Sequence, residues 1–209
     1  MIRVRNVDPA DGLHPNVTGI PVVIPSASTS FFKTSFQMSS VSAGDIIALS
    51  NNGMVPVGGG MSIRFSQGTG ALTVTLEVMG LDQFGKLRTE NVVWVADSTS
   101  KDTLWAYSKL LQVKVVSVTG STSTIAIGIN IVTGSTKIGL PIRPNTPATL
   151  SNGGPHDAEL VALVRATGTI QDLDAIDHRR ATVTLGASIV AGMHMFVYQL
   201  SQKGWRSQV

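Results

Sequence analysis

The sequence predicts an all-β fold, an antiparallel β-sandwich or jelly-roll-like barrel with an extended N-terminal arm. Period-two alternation is the first reason. Leu72, Val74, Leu76 and Val78 alternate with Thr73, Thr75, Glu77 and Met79, and Ile125, Ile127, Ile129 and Ile131 alternate with smaller or polar residues. Each run lays its aliphatic side chains on one face of a strand. Turn chemistry is the second reason: Asn, Asp, Gly and Pro cluster between the alternating runs, where tight reversals need them. Third, no stretch has the spacing of a long amphipathic helix, and no fixed repeat runs through the chain. At 209 residues the chain can bury a sizeable core as one large β domain. The reading divides it into an extended arm at 1–25, a single β domain at 26–200 with a candidate internal linker at 139–155, and a tail at 201–209.

In chain order, Pro9, Pro15, Pro21 and Pro25, with Gly12 and Gly19, interrupt the arm too often for a helix. Ile20, Val22, Val23 and Ile24 can still pair at a sheet edge. The arm either lies on its own domain or reaches onto a neighbouring subunit. Phe31 to Met38 alternates as a strand, and Ser39 to Asp45 is a turn. Ile46 to Leu49 reads as a short apolar strand, Asn51-Asn52-Gly53 as a turn, and Met54 to Val57 as a short edge strand, since Pro56 cannot donate to a ladder. Gly58-Gly59-Gly60 lacks the Lys-Ser/Thr of a phosphate-binding loop and reads as a flexible connection before a strand at Met61 to Phe65.

Gly70 to Val95 is the clearest hairpin. Its turn is Gly80-Leu81-Asp82-Gln83-Phe84-Gly85. Gly80 and Gly85 can take positive φ, and Asp82 can hydrogen-bond the backbone two residues on. In the returning arm Val93 and Val95 alternate with Val92 and Trp94. A polar loop is expected at Ala96 to Thr103. Leu104 to Leu111 fits a strand or brief turn leading into a strand at Val113 to Val118, and Gly120 to Ser123 is a turn. Leu160 to Val164 admits a strand or a short helix. Ala181 to Leu185 and Met193 to Leu200 read as strands.

Charged residues make up 14% of the chain, against about 25% in ordinary soluble domains. Ser, Thr and Gly take their place. Such a neutral-polar surface suits a protein packed against other copies or partners. The absence of cysteine excludes disulfides, thiolate zinc sites and a cysteine nucleophile. The net charge of +3 is spread along the chain without aromatic interleaving, so sequence-specific nucleic-acid binding is not expected. Met1 to Asp8 is basic without an apolar core, and no run is long enough for a membrane span, so synthesis and folding in a cytoplasm are expected.

Candidate chemistry is sparse. Asp172, Asp174 and Asp177 beside His178 form the densest ligand-like cluster. Ile176 and Asp177 stand where a calcium loop needs an acid and a glycine, so a solvated acidic loop is the preferred reading. Glu77 and Glu90 lie on the two arms of the hairpin, where they read as outward charges that discourage edge pairing. No metalloprotease motif or nucleophile elbow is present. The expectation is a non-enzyme without cofactor or metal. Arg3 and Arg5 in the arm and Trp205 and Arg206 in the tail are candidate interface anchors, because Arg and Trp are common hot-spot residues.

The hairpin resembles a segment of tailed-bacteriophage virion proteins, in which a strand runs into Gly-x-Asp-Gln-Phe-Gly and a second strand begins near a Glu. The matching residues are Gly80, Asp82, Gln83, Phe84 and Gly85, then Glu90. Further segments follow in the same order: Ala106-Tyr107-Ser108-Lys109-Leu110, Ile138-Gly139-Leu140-Pro141, Asp177-His178-Arg179-Arg180-Ala181-Thr182, and Ala191-Gly192 leading to Phe196-Val197-Tyr198. Leu81 replaces the usual Thr, and Arg180 stands where Gly is expected. The likeness covers about residues 60 to 200. It implies a late, non-enzymatic virion protein, a capsid decoration (cement) or minor capsid protein made in the host cytoplasm. It would bind the major capsid protein and copies of itself, a trimer being one arrangement. A neck, tail or adaptor protein of the same particle is the alternative. A carbohydrate- or receptor-binding β domain would require Trp94, Trp105 and Tyr107 to form an exposed platform.

Overall fold

A computed structural model describes residues 2–4, 16–23, 25–57, 59–95, 100–120, 122–129, 135–140, 159–165, 176–177, 179–184 and 194–201. Within them the strands run β1 (Ile2–Val4), β2 (Asn16–Val23), β3 (Ser28–Gln37), β4 (Arg64–Gln67), β5 (Thr73–Asp82), β6 (Leu87–Trp94) and β7 (Ser100–Asp102). They continue as β8 (Tyr107–Thr119), β9 (Thr124–Ile129), β10 (Lys137–Gly139), β11 (Glu159–Arg165), β12 (Ile176–Asp177), β13 (Thr182–Thr184) and β14 (His194–Ser201). The fold is all-β, and the described strands form four antiparallel sheets ordered β3-β9-β4-β7, β6-β5-β8, β10-β13-β12 and β1-β2-β14-β11.

Alternation decides what each sheet buries. In β5, Val74, Leu76 and Val78 are fully buried while Thr75, Glu77 and Met79 face outward, half-exposed. In β9, Ile125, Ile127 and Ile129 are buried. β-Branched side chains suit such half-buried pleats. The buried faces of β3-β9-β4-β7 and β6-β5-β8 contribute to one hydrophobic core. Phe65 of β4 meets Trp94 of β6 edge-on there, with ring centroids 5.8 Å apart, a favoured aromatic geometry. Met61 bridges both Tyr107 and Ile138 through its backbone, joining the start of β8 to β10.

Several local expectations change. Ile46 to Leu49 is not a strand; it makes a single bridge, Ile46 to Lys114. Ile47 is nevertheless buried, its N–H donating to Val113 O at 2.9 Å. Met54 likewise makes only a bridge, to Lys109. The strand expected at Met61 to Phe65 lies further on, at Arg64–Gln67. Gly59 and Gly60 are buried, not a loose connection. A Cβ on Gly59 would stand 2.2 Å from Gly139 O, and Gly60 has φ +78° with its backbone against Tyr107. Ser100–Asp102, expected within a polar loop, is β7 and pairs with β4. Leu104 to Leu111 resolves into a turn and the start of β8. The span expected as a linker begins inside a strand, since β10 ends at Gly139; residues 141–155 lie outside the described residues.

β11 resolves the strand-or-helix choice at Leu160 to Val164 as strand. In the expected arm, β2 pairs within the chain with β14 on one side and β1 on the other. β1 covers only Val17 to Gly19 of β2, so Ile20, Val22 and Val23 pair with β14 alone among the described residues, as an edge segment would.

Candidate functional site

The motif residues gather where the β5–β6 hairpin meets the turn before β13. The reversal is tight: Gly85 N–H donates to Asp82 O at 3.0 Å and Asp82 N–H to Lys86 O at 2.9 Å. Gly85 has φ +73°, a conformation that costs an L-residue roughly 1–2 kcal/mol. This is a type I turn followed by a left-handed residue, a common hairpin closure.

Asp82 holds the turn from within. Its Oδ1 accepts from Phe84 N–H and from Lys86 N–H, both at 2.9 Å, and its Oδ2 accepts from Arg88 Nε at 2.8 Å. Asp82 is 1% exposed. Burial pushes its carboxyl pKa up, but the Arg88 hydrogen bond, the two backbone donors and the Arg88 charge outweigh burial and hold it below the usual value. The bond to the residue two positions on is the one the sequence predicts.

Gly80 serves a different purpose from the one expected. It lies inside β5 and is not among the positive-φ glycines. A Cβ there would sit 2.5 Å from Tyr107 Cδ1 and 2.5 Å from Lys109 O. The missing side chain lets the Tyr107 ring lie against β5, where Tyr107 Oη donates to Glu90 Oε1 at 2.9 Å. Tyr107 is fully buried. Its pKa is pushed far above the usual value of 10.0 by burial first, and then by the Glu90 charge and the hydrogen bond to it.

Glu90 corrects another expectation. It faces inward, on the same side of β6 as buried Val92 and Trp94, while Glu77 lies opposite Asn91 and faces outward. The Glu90 carboxylate accepts from Leu104 N–H at 2.7 Å, Trp105 N–H at 3.1 Å and Tyr107 Oη. Trp105 is thereby fixed beneath Arg88, whose guanidinium carbon lies 4.0 Å from the ring centroid; that of Arg180 lies 5.6 Å away. Both are within cation–π range.

Gln83 ties the hairpin to a segment nearly a hundred residues away. Its Nε2 donates to Arg180 O at 3.0 Å and to Ala181 O at 2.8 Å. The other end of the amide, Oε1, is buried with no hydrogen-bond partner among the described residues, so Gln83 acts here as a donor alone. Ala181 O also accepts from Leu140 N–H at 2.7 Å. Gly139 packs beside Gln83, where a Cβ would stand 3.1 Å from its side chain. Ser108 Oγ donates to Asp82 O at 2.8 Å. Asp177 shapes the turn: its carboxylate accepts from Arg180 N–H at 3.0 Å and from Arg180 Nη1 at 2.7 Å. Burial raises the Asp177 pKa, but the bonds and charge of Arg180 prevail and lower it. The left-handed residue of that turn is Ala181, at φ 51°.

Asp82, Glu90 and Asp177 are thus each committed to structural donors. A shallow depression of about 310 Å³ lies elsewhere, against Lys33, Phe36, Asp45 and Ile47, and contains no motif residue. Among the described residues no three His, Asp or Glu gather to hold a metal. Asp172, Asp174 and His178 lie outside the described residues, as do Arg5, Trp205 and Arg206. Arg3 falls in β1, opposite Thr18. Trp94 and Tyr107 are fully buried, so they form no exposed aromatic platform with Trp105. Sequence reasoning missed Arg88, Trp105 and Tyr107 as parts of one cluster. The signal was parity: Arg88 and Glu90 share a strand face with Val92 and Trp94. Comparisons with protein-family models, curated proteins and solved structures found no match.

Proposed function

We propose that the chain is a non-enzymatic structural protein of a tailed-bacteriophage particle, a capsid decoration protein that binds the head shell and stabilises it through subunit contacts. The observation that carries this reading is the convergence of the segments that carry the resemblance. Gly80 to Gly85, Tyr107-Ser108, Gly139-Leu140 and Asp177 to Ala181 are dispersed along the chain but meet in one cluster. Residues that look like separate short motifs are therefore the joints of one scaffold. Their acids and amides brace backbone rather than face a cavity, which suits a protein whose work is contact. The low-charge surface supports the same reading, since broad interfaces are depleted in charge at their centre.

In its finer form the reading makes the β3-β9-β4-β7 and β6-β5-β8 sheets the two layers of a β-sandwich, with a jelly-roll-like path. The partners are the major capsid protein and further copies of this chain, and the location is the capsid surface. Quantitative mass spectrometry of purified particles tests this, counting the chain against the major shell protein. Decoration predicts a copy number on the order of hundreds, because a closed symmetric shell repeats each contact. A count near a dozen would move the protein to the neck or tail. Absence from particles would overturn the virion reading.

A further inference from the structure

β6 has β5 on one side and no other described strand paired to it. The β5–β6 register runs from Val74 opposite Trp94 to Leu81 opposite Leu87 without a shift, whereas the β5–β8 register shifts between Thr75 and Leu76, again after Met79, and again after Leu81. Among the described residues the second edge of β6 carries no ladder; it is regular and lacks the bulge that would twist it away from a partner. The Asp82 N–H to Lys86 O bond sets the phase of the ladder. Because antiparallel partners bond at alternate residues, Arg88, Glu90, Val92 and Trp94 turn their backbone groups toward β5. Leu87, Thr89, Asn91 and Val93 turn theirs to the open edge.

The side chains of those same residues stand on the solvent face. Leu87 is 54% exposed, Val93 49% and, just beyond the strand, Val95 69%; Thr89 and Asn91 are exposed as well. None of the five is charged. Natural edges are usually guarded by lysine, proline or a bulge. The only charges on β6, Arg88 and Glu90, face inward and are engaged by Asp82, Trp105 and Tyr107.

We propose that β6 is a self-association edge, onto which β6 of a second copy adds antiparallel about a two-fold axis at Asn91. The two β6-β5-β8 sheets then become one continuous sheet. A second copy is the occupant because this row is complementary to itself. With Asn91 opposite Asn91, Thr89 meets Val93 and Leu87 meets Val95. On the inner face Glu90 meets Val92, and Arg88 meets Trp94. Slipping the pair to place Glu90 opposite Glu90 would set like charges directly across the ladder, which is unfavourable, so that register is disfavoured. The contact is isologous and closes at the dimer. The inference stands on β6 alone and does not depend on the particle reading.

Sedimentation velocity of the full chain across the micromolar range tests it, with two variants. Asn91→Pro removes an N–H that points away from β5, so the β5–β6 ladder keeps its bonds. Asn91→Lys, made together with Glu77→Gln so that no carboxylate lies across the ladder from it, keeps that N–H but sets two ammonium groups against each other at the axis. We expect a concentration-dependent dimer in the parent chain. In both variants the dissociation midpoint should rise at least about tenfold, as loss of symmetric axial hydrogen bonds or a like-charge clash implies, with circular dichroism unchanged. Should the proline variant fail to fold, the lysine variant decides. A parent chain that stays monomeric, or a dimer that ignores the lysine variant, would overturn the proposal.

Discussion

Replacing Asp82 tests whether the hairpin turn is held from within. Alanine would remove the acceptor for three donors: the backbone N–H groups of Phe84 and Lys86 and the Nε of Arg88. A net backbone hydrogen bond is worth about 1 kcal/mol, and one to a charged group about 1.5–3 kcal/mol. The turn faces solvent, and Arg88 keeps 20% of its side chain exposed, so water can recover part of the loss. That places Asp82→Ala near 3 kcal/mol, at the lower end of the roughly 3–5 kcal/mol for breaking a buried ion pair. Asp82→Asn keeps a carbonyl oxygen for the two backbone donors of the turn but sets its amide NH2 against Arg88 Nε, so the charged hydrogen bond to Arg88 is lost, at a cost of about 1.5–3 kcal/mol.

Urea unfolding followed by tryptophan fluorescence, at pH 7 and in acid, measures both. The folded carboxyl titrates below the usual 3.8. Its contribution is therefore complete above that value and is lost as pH falls through the depressed folded pKa. The gap between the parent chain and Asp82→Asn should close over the same range. A loss under about 0.5 kcal/mol for Asp82→Ala at pH 7, within the usual scatter of surface substitutions, would refute the reasoning. So would an Asp82→Asn gap that persists unchanged in strong acid.

Gly80→Ala forces a methyl to within 2.5 Å of the Tyr107 ring, and overpacking of that kind costs about 1–3 kcal/mol; thermal unfolding reads it as a lowered Tm. Tyr107 should remain silent in a spectrophotometric titration at a pH where a free tyrosine ionises. Its raised pKa means that the associated stability is present below pH 10.0 and is lost as the solution becomes more alkaline, so its signal should appear together with unfolding. Glu90→Gln keeps an oxygen for Trp105 and Tyr107, turns the acceptor of Leu104 N–H into an amide NH2, and removes the charge. The same titration should then show Tyr107 ionising at lower pH than in the parent chain.

Alternation made β5 and β9 legible because in each run only one face is apolar. Thr75 and Glu77 cannot share a core with Val74 and Leu76, so the buried face of β5 follows directly. β6 withheld that information. Val92 and Trp94 on one face and Val93 and Val95 on the other are equally apolar, and nothing local says which pair goes in. The choice falls to Trp94 finding Phe65 across the core, and it carries Arg88 and Glu90 inward. Ile46 to Leu49 failed for the opposite reason. Four apolar residues need burial but not a ladder, and the backbone bonds of Asp45 and Ile47 to β8 satisfy that stretch without a strand. Gly59 and Gly80 read as conformational freedom, yet each is a place where another part of the chain must come close. Those partners, Gly139 and Tyr107, are distant in sequence, and no pattern around the glycine announces them. The turn chemistry of Asp82 was legible because its partners lie only two to six residues away.

That difference in reach sets an order of events during synthesis. The bonds of Asp82 can form as soon as the hairpin leaves the ribosome, and an isolated hairpin closes in about 1–10 μs. The bonds from Gln83 cannot, since Ala181 lies 98 residues downstream. At about 5–20 residues per second the nascent chain waits roughly 5–20 s between making the amide and making the carbonyl it grips. Throughout that interval a hairpin already braced by Asp82 and Arg88 offers a finished receptor, and the turn at Arg180–Ala181 arrives as its late guest. A chain stopped short of that turn would keep the receptor and leave it vacant.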